Sequence, residues 1–209
     1  AGNGGQRIEV GFNIRGSDLA ALEGVDICEA DTRNCATTDG DGAATIELPV
    51  DQEVVYTVSK AGFAAELYAE VTDSSFSRSR AHVLFPNEEI DDAAAGIMSV
   101  WPHAGTGWVS LGVNLEGVTF ELIDAAGAPW YVDSDGVGKN TIDATTSEAV
   151  GGARGGFVEV APGVVEVEYG GTATGCTVNI GLPSESPNRI KLPVRDAHIS
   201  FGSMTCTQP

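Results

Sequence analysis

Three histidines are the residues of this chain best suited to chemistry: His82, His103 and His198. His82 and His198 stand in similar segments, Arg80-Ala-His-Val-Leu-Phe85 and Asp196-Ala-His-Ile-Ser-Phe201, one closing each half of the sequence. Successive side chains of a strand point to opposite faces, so Val83 and Phe85 on an apolar face predict His82 on the other. The same parity turns His198 outward, and in Val100-Trp-Pro-His103 it is Trp101 and His103 that share a face. Imidazoles meeting at a junction between the halves would hold zinc with one open position. Zinc-bound water is acidic enough near neutral pH to attack esters or phosphoesters, with a carboxylate such as Glu88 or Asp196 as base. The competing reading is three unconnected surface histidines, because the tight spacing of a His-Glu-x-x-His motif is absent.

Aromatic residues offer a second chemistry. Trp101, Trp108, Trp130 and Tyr131 all fall in the second half. Exposed rings can stack on sugar faces while a neighbouring Asp133 or Asp143 accepts hydroxyl hydrogen bonds. Trp101, Trp130 and Tyr131 are therefore candidate ligand contacts, and Trp108 reads as core. The paired acids Asp39/Asp41 and Asp133/Asp135 lie beside glycines, as calcium ligands can. Aligning Gly136 on the glycine position of a calcium loop, however, puts Ile142 where the bidentate Glu belongs. Asp-Gly pairs of this kind are turn chemistry. No Gly-x-Ser-x-Gly elbow occurs, and Asp133 replaces the first glycine of a phosphate-binding loop ahead of Gly138-Lys139.

Positioning any of these groups falls to a β scaffold. No window sustains helical spacing of apolar residues for three turns, whereas short Val-, Ile- and Thr-rich runs alternate with many of the 27 glycines. Strands are expected in the first half at 8–14, 25–28, 36–38, 44–48, 54–58, 67–71 and 82–85. Residues 24–49 and 117–138 repeat one pattern: Gly-Val, a short strand, then Thr38-Asp-Gly-Asp-Gly42 or Asp133-Ser-Asp-Gly136. A repeat of this length implies two copies of one small domain. The expected layout is a flexible leader at 1–6, a β-sandwich at 7–85, an acidic linker at 86–96 and a second sandwich at 97–209 with a long loop at 139–156.

Cys28 and Cys35 flank an Asp-Thr-Arg-Asn turn, which places their sulfurs on neighbouring strands within bridging reach. Cys176 and Cys206 make a second pair, whose bridge would pin the last segment. Two disulfides imply an oxidising compartment. Thirty acidic against 11 basic residues give a net charge of -19, which repels phosphate backbones and anionic lipids. Nucleic-acid and membrane-surface binding are thereby disfavoured, and the longest apolar runs fall short of the ~18 residues of a membrane span. The polar opening Ala1-Gly-Asn-Gly-Gly-Gln6 is expected of a mature exported chain and is compatible with a lipid-bearing cysteine upstream.

Gly24-Val25, Thr38-Asp-Gly-Asp-Gly42, Leu48-Pro49 and Thr57-Val-Ser-Lys-Ala-Gly-Phe63 form a string of turn, apolar strand, Leu-Pro and Gly-aromatic pair. It resembles the carboxypeptidase regulatory-like family, the transthyretin-like (prealbumin-like) β-sandwiches of secreted bacterial proteins. The second half departs from it, with Pro129-Trp-Tyr131 before its Asp-Gly turn and Ala161-Pro162-Gly163 in place of Leu-Pro. The resemblance implies a sandwich that stabilises or binds, without catalytic residues to carry over. The expectation is an all-β chain of two tandem Greek-key β-sandwich domains, disulfide-stabilised, secreted, periplasmic or on the outer surface. It would act as a non-catalytic module binding carbohydrate or protein. The zinc hydrolase is the alternative, a purely structural spacer the third reading, and zinc the one candidate cofactor.

Overall fold

A computed structural model of the protein describes residues 6–73, 76–132, 140–141, 145–148 and 153–208. Alternation of apolar with polar or small residues makes β1 (Arg7–Gly16), where Val10, Phe12 and Ile14 are buried in a row. Then follow β2 (Asp26–Glu29), β3 (Cys35–Thr37), β4 (Ala43–Pro49), β5 (Glu53–Ser59), β6 (Ala65–Val71) and β7 (Ser79–Leu84). The acidic segment read as a linker is helix α1 (Asn87–Gly96). Pro86 leads into it, Glu88 and Glu89 lie in its first turn, where the dipole favours acids, and Ile90 and Ala94 are buried. The second half contributes β8 (Gly107–Val113), β9 (Val118–Ile123), β10 (Ala128–Val132), β11 (Asn140–Thr141), β12 (Ala153–Val160) and β13 (Gly163–Gly171). It ends with β14 (Thr174–Ile180), β15 (Leu182–Pro183), β16 (Arg189–Val194) and β17 (His198–Thr207). The loop expected at 139–156 is interrupted, since Asn140–Thr141 pairs with β10 and Ala153 already belongs to β12.

The protein is all-β, built of sandwiches stabilised by two disulfides, and the two halves share one long sheet. Its order is β11-β10-β12-β8-β17-β6-β5-β2-β3, with β14 also on β17. The last strand joins the halves, running parallel to β6 through His198–Ser200 and parallel to β8 through Ile199–Met204. Two smaller sheets cover it, β4-β1-β7 and β15-β16-β13-β9.

Residues opposite one another across a ladder share a face, so the register sorts the long sheet's two sides. Tyr56 faces Tyr68, Glu66 faces Ile199, Ile199 faces Trp108, and Ser110 faces Gly156 opposite Trp130. On this side β4-β1-β7 packs over the first half, closing a core of Phe12, Ile14, Ile27, Tyr56 and Tyr68. Helix α1 packs on the same side over Trp108, Trp130 and Ile199. The opposite side carries Val109, Leu111 and Phe157, and β15-β16-β13-β9 covers it with Val165, Ile190 and Leu192. The covering sheets therefore lie on opposite faces. Each buried Ile or Leu contributes about 1.5–3 kcal/mol.

Cys28–Cys35 joins β2 to β3, and Cys176–Cys206 joins β14 to β17. The turn at Asp39 is held by its own carboxylate, which accepts the backbone N–H groups of Asp41 (3.0 Å) and Ala43 (2.9 Å). Gly42 has a φ of +75°, and a Cβ there would collide with the Ile14 carbonyl oxygen. That acidic turn is structural. Its counterpart at Asp133 and Asp135, like Asp143, lies outside the described residues.

Because β17 is common to both halves, unfolding is expected to be one event. Ile14→Ala, in the first half, should cost about 2–5 kcal/mol. Far-UV circular dichroism and tryptophan fluorescence should then shift their urea midpoints together, although all three tryptophans lie in the second half. Midpoints that separate would mean that the halves unfold independently.

Candidate functional site

The histidines do not gather. β7 runs parallel to β1 with His82 opposite Ile14, so His82 shares the inward face of Phe12 and Ile14. The outward orientation expected from Val83 and Phe85 is off by one residue, because Leu84 and His82 are the buried members of the strand. His82 is 8% exposed and packs on Tyr68, with ring centroids 4.1 Å apart. Burial, with the Arg80 charge adding to it, lowers its pKa to about 3, so the ring is neutral.

His103 Nδ1 lies 3.0 Å from Thr106 Oγ1, and His198 Nδ1 donates to the Asp196 carbonyl at 2.7 Å. Their two turns are tied together by Ala197 N–H to the Thr106 carbonyl and by Gly105 N–H to the Asp196 carboxylate, both 2.9 Å. Asp196 thus serves a turn, and Glu88 is exposed on α1. Among the described residues no three His, Cys, Asp or Glu side chains form a group able to hold a metal ion.

The aromatic candidates are interior. Trp101, Trp130 and Tyr131 are 8%, 4% and 4% exposed, and none offers a face for a sugar to stack on. Trp101 and Trp108 meet edge to face at 5.5 Å, and Trp101 Nε1 donates to Asn87 of α1. Tyr131 points to the opposite side of the sheet and stacks on Phe120, and its hydroxyl accepts the Phe120 N–H at 3.0 Å. Helix α1, a linker in the sequence reading, covers Trp101 and Trp130, which is why those two rings look free in the sequence; Trp108 is core, as expected.

What the fold does bring together is a cleft of about 520 Å³ between β7 and the uncovered part of the long sheet. The β7 side presents Arg80, Ala81, His82 and Val83. Opposite lie Ser110 of β8, Arg154 of β12, and Phe201 and Ser203 of β17. Tyr68 and Glu70 of β6 close its base. Beneath it Tyr68 stacks on Phe201 (5.2 Å between centroids) and on Tyr56 (5.4 Å).

A polar network runs through this aromatic cluster. Arg80 Nε donates to Glu70 Oε2 at 2.9 Å in a largely buried ion pair, and Tyr56 OH approaches the same oxygen at 3.5 Å. With its proton toward Glu70, the Tyr56 oxygen is left to accept from His82 Nε2–H, 3.4 Å away. Glu66 is fully buried one position further along the same face. Tyr68 OH donates to its Oε2 at 2.7 Å, while its Oε1 has no partner among the described residues. Burial raises its pKa to about 8 against the Tyr68 hydrogen bond, which acts the other way. Glu70 is raised as well, by burial, with Arg80 opposing. The sequence signal for this network was Glu66-Leu-Tyr68-Ala-Glu70, two acids at strand spacing with an aromatic between them.

No family model and no curated protein matches the chain. Among solved structures it is similar to a type II cohesin–X-dockerin complex from Acetivibrio cellulolyticus, at 18% identity over 38% of this chain and 52% of that one, TM-score 0.27. It is also similar to the minor pilin of Streptococcus agalactiae (14% identity, 96% and 97% covered, TM-score 0.27). A third is the shaft pilin of Lactobacillus rhamnosus GG (12% identity, 98% and 99% covered, TM-score 0.26). The chain spans about half the length of the cohesin–dockerin chain. Scores this low carry no functional argument.

Two of the shifted groups, Glu66 and His82, bear on the pH profile near neutrality. Glu66, raised in the fold, stabilises fully below its unfolded value of 4.5 and loses that contribution as pH rises through about 8. His82, lowered in the fold, stabilises above its unfolded value of 6.5 and loses that contribution as pH falls through about 3. The two slopes oppose between pH 4.5 and 6.5, so a net fall is expected from about pH 6.5 to 8. Glu66 supplies at most about 1.4 kcal/mol per pH unit of it. Urea unfolding of Glu66→Gln should show a flatter profile over that range. A profile parallel to wild type would mean that Glu66 is ionised in the fold.

Proposed function

We propose that this chain is a non-catalytic binding module of an exported bacterial surface protein, and that it takes a protein partner at the cleft between β7 and the long sheet. The cleft carries the reading. Its buried ionisable groups are engaged with one another, Arg80 with Glu70 and neutral His82 with Tyr56, which leaves shape, open backbone and the exposed Arg154 to do the recognising. Two disulfides fit an oxidising compartment, and the acidic surface fits an exported protein. Among the described residues no helix is long and apolar enough to cross a membrane. Kinship with the carboxypeptidase regulatory-like sandwiches rests on the Thr38–Gly42 turn and the segments that follow it.

Protein is favoured over carbohydrate as the ligand because the tryptophans are interior. The test is surface plasmon resonance against immobilised extracellular proteins and cell-wall polysaccharides. Saturable binding to a protein is expected, weakened about tenfold or more by Ser110→Trp, which fills the cleft from its sheet side. Binding confined to polysaccharides, or a Ser110→Trp variant that binds as wild type does, would overturn it.

A further inference from the structure

We infer that the cleft receives an extended peptide segment of the partner, which adds to β7 as a fourth strand of the β4-β1-β7 sheet and places a carboxylate against Arg154. This rests on the binding reading above and names what is bound.

The backbone of β7 carries the inference. Along a strand, alternate residues direct both N–H and C=O to opposite edges. The Arg78 carbonyl accepts the Gly11 N–H at 2.9 Å, so Arg80, His82 and Leu84 bond toward β1. Ser79, Ala81 and Val83 then direct their backbone groups to the other edge, where no strand of the described residues pairs. Ser79 is already served, its carbonyl accepting from Ser77 Oγ at 3.1 Å. The Phe85 carbonyl accepts the Ala64 N–H at 3.0 Å, which ends the open stretch. What remains is the N–H and C=O of Ala81 and of Val83, both residues of the cleft wall. Ala81 is exposed and Val83 half-buried. An open edge of this kind is a template for one more strand.

The space beside that edge has a floor. The β4-β1-β7 sheet packs its inner face on the long sheet but stops at β7, leaving Phe201, Ser203, Ser110 and Arg154 uncovered on the same side of that sheet. A strand beside β7 would lie over them and direct every second side chain down onto them. Phe201 is half-buried and suits an apolar side chain. Arg154 is exposed and has no ion-pair partner among the described residues. On a chain of net charge -19 a free arginine in a cleft is a local reversal of sign, and it selects an acid. The fitting segment is therefore extended, with an apolar and an acidic residue two positions apart.

The probe is a set of fluorescein-labelled peptides alternating threonine with valine or phenylalanine and one aspartate, read by polarisation on the intact protein. Binding is expected for peptides with the apolar-x-acid spacing. Methylating two backbone nitrogens on the edge that meets β7 should weaken it about tenfold or more, since each methyl removes one hydrogen bond to the open edge. Arg154→Glu should abolish binding of the aspartate peptide and restore it for the same peptide with lysine in that place. Ala81→Pro should weaken both, because it removes an open-edge N–H and leaves the bonds to β1 intact. Unchanged far-UV circular dichroism confirms that each variant is folded. Equal binding of the methylated peptide, or no binding by any member of the set, overturns strand addition. If a protein partner is still lost on Ser110→Trp while the peptides fail, the cleft binds a folded surface and only this inference falls. If Ser110→Trp leaves partner binding intact, the binding reading falls with it.

Discussion

The pairing of β17 between β6 and β8 is the constraint on which the other features depend. Its ladders with β6 and β8 join the halves into one sheet, and its far end holds β14 by a ladder and by Cys176–Cys206. The strand is shaped for a crowded place. A Cβ on Gly202 would stand 2.6 Å from Ile190 Cδ1 and 2.8 Å from Leu192 Cδ1, so a larger residue there would push the ends of both β16 side chains aside. Ser200 is buried with its hydroxyl given to the Pro193 carbonyl at 2.6 Å, and Asn114 clamps Cys206 through both its N–H and its carbonyl. Without β17, β6 and β8 would each present an unpaired edge, so neither half closes alone.

Sharing a sheet while covering it from opposite sides has a geometric consequence. The first cover ends at β7 and the second lies on the other face, so part of the sheet stays bare beside β7. The same boundary is where the fold keeps its buried charges. Glu66, Glu70 and Arg80 cost desolvation energy that surrounding aromatic packing must offset. Glu70 and Arg80 do so as a pair, and Glu66 by favouring its neutral form, which burial imposes. A carboxyl with one orphaned oxygen is a costly thing to retain in a core for stability alone.

Local patterns carried the sequence reading a long way. The first-half strands lie where the alternating apolar runs and the Asp-Gly turn place them, and the cysteine pairs follow from the turn between Cys28 and Cys35 and from the shared half of Cys176 and Cys206. What escaped was non-local. Nothing in Asp196-Ala-His-Ile-Ser-Phe201 announces that its strand runs parallel to one from each half, because parallel register is set by partners far along the chain. His82 was misplaced because Val83 and Phe85 outvoted Leu84, whereas the partner strand β1 decides which side of β7 is inside. Helix α1 is faint in the sequence for a related reason. Its buried apolar residues are Ile90 and Ala94, with Ile97 just past its end, too few to register as periodic but enough against three tryptophans.

The open edge of β7 raises the question of why it does not simply join two copies of this chain. An unpaired strand edge is an invitation to any extended backbone, and proteins normally blunt it. The net charge supplies an electrostatic form of that blunting. Two copies approaching edge to edge bring together chains of net charge -19 each, and the repulsion acts before backbone groups come within bonding range. A segment from another protein meets the same field, so on this proposal it gains from being short, extended and locally anchored at Arg154, which among the described residues of the cleft carries positive charge not matched by Glu70. On the strand-addition proposal, the net acid of the chain and an arginine without an ion-pair partner among the described residues act together: the first disfavours self-pairing, and the second favours a carboxylate where the edge can receive its backbone.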